Sequence, residues 1–170
     1  MAERIFKNKQ SEQITLSGDL VFEHDKRLVR SEIFSILNGL FGNSYSVEKI
    51  NNKKVDVVTD GNKKHFLLIS QITYLGNPHP TYKKRIQLKN WYKDIYDQYK
   101  NDKNTIIHLV GIYRYGLNVI FVEFEKEPYF NRKMHNSSAH VYTNDLFQAM
   151  KHKVFSKKDV RGNRITTITL

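Results

Sequence analysis

Cysteine is absent from the 170 residues, which excludes disulfide cross-links and thiolate metal centres and fits a reducing, cytoplasmic setting. Any metal must be held by oxygen or imidazole ligands. Long apolar runs are also missing. None approaches the roughly 18 to 20 residues of a membrane span, and the opening MAERIFKNKQ has no apolar stretch of the kind a signal peptide needs. No internal repeat, low-complexity tract or linker is visible. Acidic charge is in the minority, with 17 Asp and Glu against 28 Lys and Arg, a net charge of +11 and a pI near 9.7. That balance suits a polyanionic partner, nucleic acid first. The length fits one core, so residues 1–170 are expected to form a single domain, with residues 1–25 an N-terminal arm or weak strand pair.

Hydrophobic spacing gives the coarse order of elements. Residues 31–41, SEIFSILNGLF, repeat at helical intervals, with Ser31 placed to cap the start and Gly42 just past the end. Three strand-like runs follow, YSVEKI, KVDVVTD and HFLLISQITYL, separated by Asn-Asn and Asp-Gly signals that favour tight turns, and they read as an antiparallel meander. After the Gly-Asn-Pro-His-Pro break, residues 81–102 place Ile86, Trp91, Ile95 and Tyr99 on one helical stripe. Residues 104–126 are two strands around a Tyr-Gly-Leu-Asn turn, and TNDLFQAMKHKVF makes a short last helix opened by Thr143 or Asn144. The expected fold is α/β (α+β), a central mixed sheet of about five strands flanked by helices.

Metal-dependent phosphodiester cleavage needs carboxylates converging on Mg²⁺ and a Lys or similar donor beside the attacking water. Side chains two apart on a strand share a face, so an Asp on one strand and an acid-x-Lys pair on the next can supply them. Asp56, a turn, the apolar strand HFLLISQIT and a basic segment follow that arrangement. Over roughly residues 30–125 the chain resembles the PD-(D/E)XK, or restriction-endonuclease-like, nuclease superfamily. Its acid-x-Lys positions would fall on Ser70 and Ile72 or on Gln71 and Thr73; Gln71 with Thr73 is preferred because both are polar on one face. The missing Lys has substitutes in Lys83, Lys84 and Arg85, three cations where a helix is expected to start and where the helix dipole favours anions instead.

The resemblance implies a divalent-metal-dependent DNA endonuclease of the type II restriction kind. Asp56, Gln71 and, from the first helix, Glu32 would bind Mg²⁺ or Mn²⁺, and Lys83 or Lys84 would aid the attacking water. Double-stranded DNA is the implied substrate and a homodimer the implied assembly, since a palindrome calls for two copies. A second register competes: Glu123, Glu125 and Lys126 end a strong apolar strand, with Asp102 as the partner acid. Residues 129–145 lack a hydrophobic period and carry Asn131, Arg132, Lys133, His135, Asn136, Ser137, Ser138 and His140, groups that read base edges or hold phosphate. Arg85 and His79, the latter between two prolines, are further candidate DNA contacts. No Gly-rich nucleotide loop is present, so no nucleotide cofactor is expected. The alternative is a non-catalytic nucleic-acid-binding protein on the same fold.

Overall fold

Asn51 and Asn52 both have positive φ, 52° and 64°, the backbone of the tight turn that Asn-Asn favours. This turn joins β3 (Tyr45–Ile50) to β4 (Lys53–Asp60), and β5 (Lys63–Gln71) completes an antiparallel meander. The structure is a computed structural model that describes residues 10–131 and 138–152, and the backbone of strands 154–158 and 164–169. Ahead of the meander, α1 (Arg30–Phe41) buries Ile33 and Leu37 and ends at Gly42, whose φ is 55°. Its N-cap is Val29 and not Ser31, which lies inside the first turn. Val29 has no side-chain acceptor to offer, and Glu32 reaches back to the Val29 N–H at 3.3 Å.

The return to the sheet runs through α2 (Asn90–Tyr99), which buries Tyr92, Ile95 and Tyr96. It leads into β8 (Thr105–Tyr115), which pairs parallel to β5. Next, β9 (Asn118–Phe124) pairs antiparallel to β8 and alternates strictly between buried and half-buried positions. Two later strands, β11 (Val154–Lys158) and β12 (Arg164–Thr169), extend this edge, and the sheet order is β11-β12-β9-β8-β5-β4-β3. The fold class is therefore the expected one, and β3, β4, β5, β8 and β9 are the five strands the sequence shows.

The sheet is covered on both faces. One face carries Val55, Val57, Phe66, Leu68, Leu109 and Val122 against α2, while the other carries Ile69, Val110 and Ile112 against Leu28, Ile33 and Leu37 of the α1 side. At about 1.5–3 kcal/mol for each fully buried aliphatic side chain, these contacts supply the main driving force for folding.

Residues 83–87 depart from the helical expectation. They form β7 (Lys83–Gln87), the centre of a small second sheet with β6 (Thr73–Tyr74) on one side and β10 (Ser138–Tyr142) on the other. In β7 the inward positions are Lys84 and Ile86, both 0 % exposed. A buried Lys hides the period-2 pattern that would have marked the strand. This layer presses closely on the main sheet, since a Cβ at Gly111 of β8 would meet Ile72 at 2.7 Å and Ile86 at 2.9 Å. The last helix, α4 (Thr143–His152), follows β10 directly and stops before β11, shorter than its sequence pattern suggested. A one-turn helix, α3 (Glu127–Phe130), sits between β9 and residue 131.

The N-terminal segment is a strand pair, β1 (Gln10–Ile14) with β2 (Leu20–His24), and it is built into the core. Tyr113 Oη accepts the Ile14 N–H at 2.9 Å and donates to Gln13 Oε1 at 2.7 Å, and Asn118 donates to the Ile14 carbonyl at 2.9 Å.

Candidate nucleic-acid interface

Asp56 stands on β4 and is 2 % exposed. Its carboxylate is already occupied. Arg30, from the first turn of α1, donates to both oxygens at 2.7 and 2.5 Å, and the Tyr45 hydroxyl donates to Oδ1 at 2.5 Å. A two-pronged Arg–carboxylate pair is among the stronger charge-assisted contacts in proteins. The Arg30 guanidinium is held further into its charged form by this bond, and the Tyr45 phenol is pushed up by burial and by the adjacent carboxylate.

The residues across from Asp56 are apolar. Leu67 is its register partner on β5, and Leu67 and Ile69 line the same recess. Gln71 lies four residues along β5 from Leu67, about 13 Å away at strand rise. It spends its amide on the segment between β2 and α1, accepting the Leu28 N–H at 2.8 Å and donating to the Lys26 carbonyl at 2.7 Å. Glu32 is two residues from Arg30, roughly 200° around the helix, and pairs with Arg114. Among the described residues no group of three or more His, Asp or Glu side chains could hold a metal ion. Asp56, Gln71 and Glu32 are thus not brought together, and this donor set does not fit a bound Mg²⁺.

The cations proposed to activate water are also elsewhere. Lys84 is enclosed, 2.9 Å from Ser11 Oγ and 3.3 Å from Asp25, with its Nζ 5.6 Å from the centre of the Tyr113 ring. Burial pushes its pKa down despite Asp25. Lys83 and Arg85 flank it on β7 and are half-buried. Because this segment is a strand, the argument from cations at a helix N-terminus does not apply. Arg85 pairs in register with His140 and donates to Ser138 at 3.4 Å, so three candidate DNA contacts do meet on the small sheet. His79 is exposed in its turn, and Asn131 caps α3. Arg132, Lys133, His135, Asn136 and Ser137 lie outside the described residues.

The second register is also dispersed. Asp102 is used in its own turn, accepting the Asn104 N–H at 2.9 Å. Glu123 is opposite Val110, at least about 17 Å along β8 from the strand's start at Thr105. Glu125 and Lys126 lie beyond the end of β9, where Lys126 pairs with Glu127 at 3.3 Å. Glu123 instead backs His108 Nδ1, and His108 Nε2 is 2.9 Å from His65 Nδ1. This Glu–His–His chain borders an apolar cleft of 240 Å³ walled by Leu37, Leu40, Phe41 and Phe121. The His108 contact holds the Glu123 carboxyl below its usual range.

What surrounds Asp56 is a recess of 290 Å³ lined by Arg30, Lys53, Lys54, Asp56, Leu67, Ile69, Lys89, Trp91 and Tyr92. Four cations and one carboxylate line it. Lys53 and Lys54 begin β4, whereas Lys89 immediately precedes α2, with its ammonium 5.9 Å from the centre of the Trp91 ring. Tyr92 closes the back, donating to the Ile69 carbonyl and sharing a hydrogen bond with Ser70, both at 2.7 Å. Burial pushes its phenol up to about 12. Lys53, Lys54, Lys89 and Trp91 escaped sequence reasoning, which sought carboxylates; the adjacent Lys pair and the chain's single Trp were the available signals.

Fold and recess together define a mixed-sheet α+β domain with a cationic, partly aromatic concavity and no assembled metal-binding acids among the described residues. The chain belongs to the methylase-associated X1 (MTaX1) family, whose model matches residues 63–169. The association in that description suggests a restriction–modification context. The match takes in β5 to β12 and so includes Lys89 and Trp91, while Arg30, Tyr45, Lys53, Lys54 and Asp56 precede it. No curated protein and no solved structure matches the chain. No helix among the described residues is long and apolar enough to cross a membrane.

Proposed function

We propose that this protein is a DNA-binding domain that works beside a DNA methylase in a restriction–modification setting, and that it holds DNA without cutting it. The observation that carries this reading is the state of Asp56, neutralised by Arg30 and Tyr45 and faced by Leu67 and Ile69. A carboxylate so engaged repels phosphate weakly, and Lys53, Lys54 and Lys89 remain around it as exposed cations. Arg85, Ser138 and His140 add a second polar contact area on the small sheet.

The competing reading is a Mg²⁺- or Mn²⁺-dependent endonuclease acting as a homodimer. It is favoured by one observation: helix, antiparallel meander, helix and a strand parallel to the third is the core order of restriction-endonuclease-like proteins, and α1, β3–β5, α2 and β8 follow it. Purified protein is to be incubated with large DNAs in Mg²⁺, in Mn²⁺ and in chelator, wild type beside Asp56→Ala. Equal gel retardation in all three conditions with intact DNA is expected. Discrete metal-dependent fragments that disappear in Asp56→Ala would establish the nuclease.

A further inference from the structure

The recess around Asp56 differs from a plain phosphate-binding surface in having one aromatic wall. Trp91 is half-buried, packed on one side against the main core and in a T-shaped contact with Tyr92, 4.7 Å between ring centroids and 80° between planes. It stands outside the buried stripe of α2, which consists of Tyr92, Ile95 and Tyr96. Leu67 and Ile69 form the apolar floor beside it, and Lys53, Lys54 and Lys89 stand around the recess. The volume, 290 Å³, is close to the roughly 300 Å³ at which small-ligand pockets begin. A flat apolar group bearing an anion matches these walls, and a nucleotide is such a group.

From this geometry we infer that the recess takes a single unpaired nucleotide, its base laid on Trp91 and its phosphate between Lys53, Lys54 and Lys89. The inference rests on the DNA-binding reading and narrows it to unpaired bases. A base inside a duplex is stacked on both faces and cannot offer one to an indole; an unpaired or extruded base can. Asp56 opposes the phosphate only weakly, because Arg30 and Tyr45 already satisfy its oxygens. Lys89, exposed and with its ammonium 5.9 Å from the centre of the Trp91 ring, leaves the indole face when a base stacks there and reaches the phosphate of the same nucleotide.

The chain has one tryptophan beside ten tyrosines, so fluorescence excited selectively at the indole reports this recess. The full chain is to be titrated with oligothymidylate, with a fully paired duplex and with the same duplex carrying a one-base bulge. Trp fluorescence is followed, and the anisotropy of labelled DNA is read in parallel. The inference expects saturable quenching by oligothymidylate and by the bulged duplex, with little from the paired one. Trp91→Ala should weaken binding of the unpaired forms roughly 5- to 150-fold, the range for loss of one base–aromatic stack, and weaken paired-duplex binding far less. Trp91→Phe, which keeps an aromatic face and guards against a folding defect, should retain most of the affinity. Binding of every DNA form without quenching, or equal loss for paired and unpaired forms in a folded Trp91→Ala protein, would overturn the inference and leave the DNA-binding reading standing. Failure to bind any DNA would remove the reading beneath it as well.

Discussion

Replacing Asp56 with Asn separates an acid that anchors the fold from one that binds metal. In the wild type, Asp56 receives two bonds from Arg30 and one from Tyr45. The Asn carbonyl can keep the Tyr45 bond and one Arg30 bond, while its amide meets the other guanidinium N–H donor to donor. The loss is one charge-assisted hydrogen bond, about 1.5–3 kcal/mol. Because the Arg30 side chain is 42 % exposed, water solvates the released charge and the lower half of that range applies. At roughly 2–4 °C per kcal/mol for a chain of this size, the melting temperature should fall by about 3–9 °C. DNA binding should move the other way. The recess gains one unit of positive charge, so affinity should rise several-fold and the slope of log K against log salt steepen by about 0.9. Thermal melts and anisotropy titrations across a salt series measure both effects. Weaker DNA binding by a folded Asp56→Asn protein would refute the reasoning, since it would show that the carboxylate itself serves the complex.

Three other outcomes follow from the same structure. Lys84→Met should destabilise the fold by about 3 kcal/mol, the low end for breaking a buried ion pair, because Asp25 keeps Gln13 and the Tyr74 N–H as donors; the folded variant should bind DNA as the wild type does, and a selective loss of binding would return Lys84 to the functional site. Gly111→Ala should cost about 1–3 kcal/mol through overpacking against Ile72 and Ile86, measured by denaturant unfolding, and an unchanged midpoint would show that the two layers yield easily. Burial raises the Tyr92 and Tyr113 phenols above their ordinary value of 10, so above about pH 10 the unfolded chain loses those protons first. Each group should then lower stability by about 1.4 kcal/mol per pH unit until its folded value is passed. Phenolate absorbance should accordingly show part of the tyrosine population titrating only with unfolding.

The meander was legible because its signals are local. Asn51 and Asn52 name their own turn, and the apolar alternation of β3 to β5 lies within a few residues. The strand at Lys83–Gln87 was illegible because its inward Lys84 is explained only by Asp25, 59 residues earlier in the chain, and a buried Lys reads as solvent-facing. Asp56 was singled out as a metal ligand, yet its partners in the fold, Arg30 and Tyr45, come from 26 and 11 residues away. Nothing near it in sequence tells whether such an acid meets a metal or a guanidinium. The His65, His108 and Glu123 chain is likewise made by three neighbouring strands, two of them parallel across a crossover. Sequence periodicity shows which face a residue takes, not which residue stands opposite.

The most direct test of the central claim is the salt dependence of DNA affinity, in chelator, for the wild type and for Lys53→Ala/Lys54→Ala/Lys89→Ala. If one phosphate sits among these three lysines, the triple variant should lose about 0.9 from the slope of log K against log salt, so a fourfold rise in salt would weaken the wild type about 3.5-fold more than the variant. Equal slopes in a folded variant would show that DNA is held elsewhere and that the recess around Asp56 is not the interface.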